Sequence, residues 1–338
     1  MNTVAFGQYD SYADLNLLLT EKKIGTPDPK TELIDVPGGD GVIDLTEFFG
    51  EVKYKNRKLA FTFETISKPD FLSQFSIVQN LLHGQKTDIY LSDDNGWYYT
   101  GRVSVNEWKA DRGIGRFTVD CDCEPYKHKY TAQTVNLAGQ NLIDLSAATM
   151  TTDEWAKTTT GYSFTRKAST AGSFVHFSVP VARGKTYIFS ADYSLTTRLL
   201  YVYRDKLFGD LVAKAENGKP CIFTPEYSGV YVFGLYVTSA AADGAFTNVM
   251  LQEGSEKGAY TAYDTASKTV TAVFNNTRRP AVPIIYASKQ TTVETPSNFL
   301  TLNPGMNMQD FFTFYQGENS LTFKGNGVAV VEWREGAL

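Results

Sequence analysis

The chain has few of the residues that build catalytic and metal sites. Its 338 residues include only 3 Cys and 3 His. Three cysteines make a disulfide framework implausible, and most structural metal sites need clusters of Cys and His. The sequence contains no G-x-S-x-G elbow, no P-loop and no H-E-x-x-H. It therefore predicts no catalytic residues, no metal and no cofactor.

Other absences bear on partners. The net charge is −5 and the chain has no basic block, whereas a phosphate-binding surface concentrates Lys and Arg, so no nucleic-acid partner is predicted. No apolar run approaches the roughly 20 residues that span a bilayer. The opening residues, MNTVAFGQYDSY, lack a basic region followed by an apolar one, so we predict synthesis in the cytoplasm and no membrane partner.

What the chain does have is aromatic side chains: 14% of its residues, including 20 Tyr and 22 Phe. Aromatic rings pack well on pleated surfaces, so this richness favours β-structure. Rings also suit flat contacts with proteins or sugars. The length allows two or three domains.

Strand periodicity is clear near the end of the first 130 residues. Phe117, Val119, Cys121 and Cys123 alternate with polar residues, which predicts a strand with both thiols on its apolar face. Free cysteines of this kind are usually buried. The alternative, a metal site, would need further ligands. Further strand signals occur at 15–19, 32–36, 42–45, 58–64, 87–91 and 97–105.

Two local signals stand out in the same region. Asn95-Gly96 predicts a tight hairpin between the strands at 87–91 and 97–105. Farther upstream, apolar residues at helical spacing predict a single helix that begins after Pro69 and ends before Gly84. Its apolar face consists of Phe71, Phe75, Val78 and Leu82.

From about Asn136 to Asp264 the chain becomes rich in Thr, Ser, Ala, Gly and Tyr. Short strand-like runs separated by turn residues recur here and predict a β-sandwich. These runs lie at 162–166, 174–179, 186–193, 199–204, 221–224, 229–237 and 248–252.

The stretch from Thr31 to Phe63, TELIDVPGGDGVIDLTEFFGEVKYKNRKLAFTF, carries a family resemblance. Its VPG-x-DG turn, DLTE run and Y-x-NR segment follow one another as in distal tail proteins of siphophages that infect Gram-positive bacteria. The closing GEN-x-L-x-F at Gly317 and WREG-x-L at Trp333 resemble the same family, whose C-terminal domain is galectin-like. Between them, FTNVMLQEGS from Phe246 resembles the jelly-roll, carbohydrate-binding-like modules of phage tail proteins.

These resemblances imply a mainly β fold with three domains. Residues 1–132 would form an N-terminal β-sandwich or ring domain with one helix and a β-hairpin. Residues 133–137 and 265–338 would form a galectin-like β-sandwich, interrupted by an inserted jelly-roll β-sandwich at 138–264. An insertion of this kind is tolerated where the module's two ends lie close together.

The resemblance also implies a structural virion protein and not an enzyme. It would form a hexameric ring at the distal end of the tail tube, with the tail tube protein and the tail-associated lysin or baseplate hub as partners. The inserted module would bind a host cell-wall saccharide. The alternative is a free lectin or carbohydrate-active enzyme built from β-sandwiches, for which no acid/base pair stands out among the 37 acidic residues.

Two sets of candidate site residues follow. Sugars stack their apolar faces on aromatic rings, and the aromatic candidates in the insert are Trp155, Tyr162, Tyr201, Tyr203, Phe208 and Tyr236. Of these we favour Trp155, which lies in a polar setting, and Tyr203 and Tyr236, together with Arg204. The alternative is that most of these aromatic side chains pack in the core and contact no sugar. Candidate ring contacts, which equally suit one domain's own core, are Tyr54, Arg57, Phe71, Trp97 and Tyr99.

Overall fold

The structure is a computed structural model that describes residues 2–48, 50–65, 71–111, 114–167, 172–193, 198–216, 218–239 and 243–338. Its described residues form antiparallel sheets and one α-helix. The predicted mainly β class is therefore confirmed. Contacts group the chain into two compact units. Unit 1 comprises Met1–Tyr130, Thr277–Arg279 and Glu335–Leu338, and unit 2 comprises Thr131–Asn276 and Pro280–Arg334. Because this grouping does not separate 138–264 from 265–338, the three-domain division stays a prediction.

Unit 1 is built on one antiparallel sheet with a helix over it. Its elements are β1 (Val4–Phe6), β2 (Tyr9–Asp10), β3 (Leu17–Ile24), β4 (Leu33–Asp35), β5 (Val42–Asp44), β6 (Arg57–Thr65), α1 (Phe71–Leu82), β7 (Lys86–Leu91), β8 (Tyr98–Val105), β9 (Lys109–Asp111) and β10 (Ile114–Cys123). Hydrogen-bonded neighbours follow the order β2-β1-β7-β8-β10-β6-β3, and β9 pairs with β10. The predicted hairpin at Asn95-Gly96 is confirmed as β7 and β8.

Alternation places the odd-numbered residues of β6 and β10 inside unit 1. Phe61, Phe63, Phe117 and Val119 pack there with no more than 2% exposure. Helix α1 covers this core, as its spacing predicts, with Val78 buried and Phe75 half-buried. The side chain of Phe71, the fourth residue of the predicted stripe, lies outside the described residues.

The three cysteines are buried thiols, as predicted for the first two. Burial raises the pKa of Cys121, and it raises the pKa of Cys123 and of Cys221 to about 12. No group of three or more His, Cys, Asp or Glu side chains within the described ranges could hold a metal ion.

We expect iodoacetamide at pH 8 to leave all three thiols of the native protein unlabelled and to label all three after unfolding. An unfolded thiol ionises near pH 8.5, whereas these stay protonated in the fold. The unfolded state then binds fewer protons as pH rises, so stability falls above about pH 8.5, by about 1.4 kcal/mol per pH unit per thiol. Mass spectrometry counts the labels. Ser104→Cys, an exposed position on β8, is the matched control and must label; native labelling of Cys121 would contradict the buried placement.

Unit 2 begins on β11 (Lys127–Asn136), whose first residues belong to unit 1. A short 3₁₀ turn at Leu145–Ala147 precedes the insert's strands. These are β12 (Thr149–Met150), β13 (Trp155–Lys157), β14 (Tyr162–Phe164), β15 (Ser173–Val181), β16 (Tyr187–Tyr193), β17 (Arg198–Arg204), β18 (Leu211–Glu216), β19 (Cys221–Phe223), β20 (Gly229–Val237) and β21 (Gly244–Glu253).

The insert's strands form two five-stranded antiparallel sheets, ordered β12-β15-β20-β17-β18 and β13-β14-β21-β16-β19. One hydrophobic core draws on both, with Phe177 and Phe233 from the first sheet and Phe189 and Phe246 from the second. Two sheets that bury one face each against a shared core make a β-sandwich.

The C-terminal residues add β22 (Lys268–Asn276), β23 (Ile284–Ala287), β24 (Thr291–Glu294), β25 (Phe299–Leu302), β26 (Gly305–Met308), a 3₁₀ turn (Asp310–Phe312), β27 (Gly317–Gly325) and β28 (Val328–Ala337). Strands β22-β27-β24-β25 form one sheet, and β28, β23 and β26 pair in that order. Their core holds Phe274, Phe314 and Trp333, whose rings meet within 6 Å of one another.

Within unit 2 the insert is joined to the C-terminal residues by more than its two chain connections. Lys289 pairs with the Asp144 carboxylate and lies 4.6 Å from the centre of the Tyr263 ring, whose hydroxyl donates to the Asn326 carbonyl. We call Lys289, Asp144, Tyr263 and Asn326 the clamp. The clamp joins residues near the insert's entry and exit to the loop between β23 and β24 and to the turn between β27 and β28.

A second contact within unit 2 lies on β28 itself. The Glu332 carboxylate accepts hydrogen bonds from the side chain and backbone of Ser228, which precedes β20. Burial raises the pKa of Glu332, although Ser228 and the charge of Arg183 act in the opposite direction. Val328 on the same strand packs into the core of the insert. The insert therefore packs against β28 and is hydrogen-bonded to it.

Candidate functional sites: an exposed arm and an aromatic sheet face

The hairpin of β4 and β5 stands apart from the core of unit 1. Its two strands pair only with each other, and all six of their residues are exposed. Main-chain hydrogen bonds close its base, from Leu45 to Glu32 at 2.8 Å and, nearer the core, from Lys30 to Lys53 at 2.7 Å. We call residues 32–45 the arm.

The sequence of the arm explains its shape. The turn runs from Pro37 to Gly41. Gly38 and Gly41 have φ of 79° and 81°, in the left-handed region that glycine tolerates. Ile34 lies directly opposite Ile43, so these two side chains share one face of the hairpin. An isolated two-stranded hairpin is marginally stable in water, and an exposed apolar cluster of this kind marks an interaction surface.

The opposite face of the arm is also apolar in part. Leu33 and Val42 lie there, beside Asp44 and Asp35, which they face across the two strands. Both are more than half exposed. The arm thus presents apolar side chains on both faces and has no core of its own.

The structure places the predicted ring-contact residues differently from one another. Tyr54 is half-buried, with the Tyr126 ring at 6.1 Å and the Arg278 guanidinium at 5.2 Å. Trp97 is half-buried beneath the ammonium groups of Lys127 and Lys129, at 5.0 and 5.9 Å from its ring centre. Both side chains keep a surface that a neighbour could touch.

Arg57 and Tyr99, two further residues predicted as ring contacts, are buried within unit 1. Arg57 is the first residue of β6, where alternation points the odd-numbered side chains inward, and it is 4% exposed. Its guanidinium lies 5.4 Å from the centre of the Tyr99 ring, which is 3% exposed. Burial raises the pKa of Tyr99 although the Arg57 charge lowers it. The pair belongs to the interior of unit 1, and the side chain of Phe71 lies outside the described residues.

A second candidate site lies on the outer face of the sheet that contains β15, β20 and β17. Alternation turns Val202, Phe233 and Val175 into the core and leaves the intervening residues outside. Instead of polar side chains, this outer face carries a cluster of aromatic rings. We call Phe174, Tyr201, Tyr203, Tyr236 and Phe208 the aromatic face.

The rings of the aromatic face contact one another closely. Phe174 lies 4.4 Å from Tyr236 and 5.3 Å from Phe208 between ring centres, and Tyr201 and Tyr203 stack at 5.6 Å with planes 6° apart. Tyr203 and Phe174 are buried by these contacts, while Tyr201 and Tyr236 are half-buried. Phe208 is 69% exposed.

The predicted saccharide residues divide between this face and the core. Trp155, the favoured candidate, lies in the core: it is 6% exposed, and its indole N–H donates to Ser173 Oγ at 2.7 Å. Tyr162 is also buried, with its hydroxyl donating to the Leu145 carbonyl. The structure brings together Tyr201, Tyr203, Phe208 and Tyr236 of the original candidates and adds Phe174.

Arg204 lies at the rim and not on the face. Its guanidinium pairs with the Asp210 carboxylate and lies 5.3 Å from the centre of the Tyr227 ring. On the neighbouring strand β18, Lys214 is 5.7 Å from the centre of the Tyr201 ring and pairs with Glu216 at 2.5 Å. The sequence offered no signal for Lys214, because its role depends on how β18 pairs with β17.

A cleft of about 400 Å³ in unit 1 tests the enzyme alternative. It contains Asp122, paired with Lys58 at 2.8 Å, and Glu124, paired with Lys86 at 3.3 Å. The Lys58 hydrogen bond lowers the pKa of Asp122; burial would raise that of Glu124, but Lys86 and His128 outweigh it and lower the pKa. A glycosidase general acid needs a raised pKa, so these carboxylates suit ion pairs instead.

No described helix is long and apolar enough to span a membrane.

Comparison with known proteins yields little. No protein-family model matches the sequence, and no curated protein matches it. Among solved structures the chain resembles the Dit protein of SPP1, described as a paradigm of the hub adsorption apparatus in phages that infect Gram-positive bacteria. The two align over 100% of each chain, with 13% identity and a TM-score of 0.38. A likeness this distant establishes neither a shared fold nor a shared function.

Proposed function

We propose that this protein is a structural subunit of a phage tail tip that assembles with copies of itself into a closed ring of six at the end of the tail tube. The arm is the observation that carries the proposal. It occupies the first half of the Thr31 to Phe63 stretch, whose order of residues resembles distal tail proteins. This part of the stretch is exposed and pairs only with itself, which supports a contact element, while Phe61 and Phe63 at its other end lie in the core of unit 1.

The arm suits a contact between copies of this chain. A subunit that inserts its arm into a neighbour and receives another arm elsewhere makes a heterologous interface, which closes when the rotation between subunits is an exact fraction of a turn. Burying Ile34, Ile43, Leu33 and Val42 in that way covers apolar surface on both faces of the hairpin. The half-buried Tyr54 and Trp97 are further candidates for this interface.

Such a ring has two faces, and the resemblance assigns one to the tail tube protein and the other to the tail-associated lysin or baseplate hub. The protein's location is then the virion, at the tail tip. Residues 138–264 act as an accessory module for a host cell-wall saccharide. The Asp264 N–H donates to the Ala138 carbonyl at 3.0 Å, which supports an insertion because the module's two ends lie side by side.

The mass of the whole protein in solution tests the proposal. We expect a hexamer by light scattering and native mass spectrometry, or a monomer that becomes a hexamer when the tail tube or hub protein is added. A monomer that ignores both partners would overturn the ring.

A free lectin is the second candidate, and the aromatic face is the observation that favours it. A sheet face lined with rings can bind a sugar without any ring of subunits. The mass measurement separates the two functions: a lectin remains active as a strict monomer, whereas the tail-tip subunit depends on assembly for its place in the virion.

A further inference from the structure

The loop between β17 and β18 holds an aromatic side chain in an unfavourable backbone conformation. Phe208 has a φ of 62°, in the left-handed region. That region disfavours bulky residues, because Cβ approaches the following carbonyl oxygen. Asp205, in the same loop, has a φ of 65°. A glycine or asparagine is the usual occupant of such a position.

The fold offers Phe208 little in return for that conformation. Its ring meets Phe174 edge to face at 5.3 Å, yet 69% of the side chain remains exposed. The loop itself is closed by the main chain, with Arg204 donating to Asp210 at 2.9 Å and Asp205 donating to Val230 at 3.1 Å. Because backbone hydrogen bonds already shape the loop, the phenyl ring is not needed to form it. Strained residues that persist in this way cluster at ligand sites.

Polar groups for a hydroxyl-bearing ligand lie beside the rings. Tyr203 and Tyr236 carry phenolic hydroxyls, which can both donate and accept a hydrogen bond. Partial burial and the neighbouring tyrosines raise the pKa of Tyr203, so its hydroxyl keeps its proton and can donate as well as accept. His176, next to this row on β15, has a buried Nδ1 without a hydrogen-bond partner among the described residues.

The charges around the face balance. The loop contains Arg204 and Lys206 but also Asp205 and Asp210, and Lys214 is paired with Glu216. A surface for phosphate-bearing polymers would show an excess of cations. Flat apolar rings, hydroxyl donors and a neutral rim together match an uncharged pyranose, which offers C–H faces and hydroxyl groups.

We propose that the aromatic face binds a neutral polysaccharide, with Phe208 and the half-buried Tyr201 and Tyr236 stacking on its sugar rings. This inference rests on the adhesive part of the proposed function and names its site and ligand class. Phe208 takes the place that sequence patterning gave to Trp155. The other occupants, an anionic glycopolymer or a protein, are outcomes of the test.

Replacing Phe208 with glycine separates binding from folding. The full-length Phe208→Gly protein should melt at the same temperature or higher, since glycine accepts the left-handed conformation. It should bind an immobilised neutral polysaccharide about tenfold more weakly, the loss of one aromatic stacking contact. Phe208→Tyr should keep binding. The probes are a neutral glucan, galactan and rhamnan, with poly(glycerol phosphate) as the anionic comparison.

Phe299→Ala is the matched control, because Phe299 is 75% exposed on β25, which belongs to a different sheet. It should bind as the unaltered protein does. Binding by Phe208→Gly at full strength, no binding of any neutral polymer by the unaltered protein, or binding of poly(glycerol phosphate) alone would each overturn the inference. Mass is measured on the same samples: a hexamer that binds no neutral polymer refutes only this inference, whereas a strict monomer that binds refutes only the ring.

Discussion

Replacing Ile34 with Lys and Ile43 with Glu should leave the protein folded but unable to form the ring. These side chains lie opposite each other on the arm, so an opposite-charge pair keeps the hairpin paired while removing its apolar face. Losing the burial of two isoleucines, at about 1.5 kcal/mol each, should weaken each subunit contact about a hundredfold. Native mass spectrometry with the tail tube and hub proteins present would show monomers.

The control for the arm is an exposed isoleucine elsewhere. Ile222, on β19 of the insert, is 54% exposed, so Ile222→Lys tests the effect of replacing one equally exposed isoleucine with a charged residue outside the arm. The Ile222→Lys protein should form the ring of six subunits normally. A hexamer of unchanged stability from the Ile34→Lys, Ile43→Glu protein would remove the arm from the interface and with it the main support for the proposed function.

Gly101→Ala should destabilise unit 1 by about 3 kcal/mol. A Cβ at position 101 on β8 would lie 2.5 Å from Cys123 Sγ and 2.7 Å from the Asp122 carbonyl oxygen on the adjacent strand β10. Both contacts are too close, and the second is with backbone that hydrogen bonds hold in place, so the strands must separate. Thermal unfolding followed by circular dichroism measures the loss.

Gly39→Ala, in the turn of the arm, is its matched control. A Cβ there meets only Val36, at 3.5 Å or more, and the backbone is not in the left-handed region. The melting temperature should change little, because the added methyl group makes only ordinary van der Waals contacts with Val36. If Gly101→Ala proved equally harmless, β8 and β10 could not approach as closely as the structure has them.

Local chemistry made much of the fold predictable. Alternation of Phe117 to Cys123 indicated an inward face, Asn95-Gly96 indicated a hairpin, and the spacing of Phe75 and Val78 indicated the one helix; the structure has all three. Each signal lies within about ten residues of chain. Short strands with weak alternation, such as β13, were missed because their pairing partners decide whether they form.

The sites were harder to predict, since exposure depends on contacts distant in sequence. The polar neighbours of Trp155 suggested a surface position, but Ser173 supplies the buried acceptor for its indole from 18 residues away. Arg57 carries a charge yet is buried over Tyr99, which a charged side chain rarely is. The strain at Phe208 depends on a backbone angle that no residue pattern reveals.

The clamp has a consequence for adhesion. Lys289 contacts both Asp144 and Tyr263, which lie near the two ends of the insert. These contacts fix the insert in place, so it is not joined by flexible linkers alone. In a ring, modules that are fixed in this way hold their binding faces at one constant distance from each other, and no module can move to a ligand independently of the others. Flexible tethers accept ligands at many separations, whereas fixed sites gain from multivalency only when the target spans their separation. The ring would then bind best to wall polymers whose spacing matches the distance between its sites. Removing the contacts of Lys289 would let the modules move and so allow binding at other spacings.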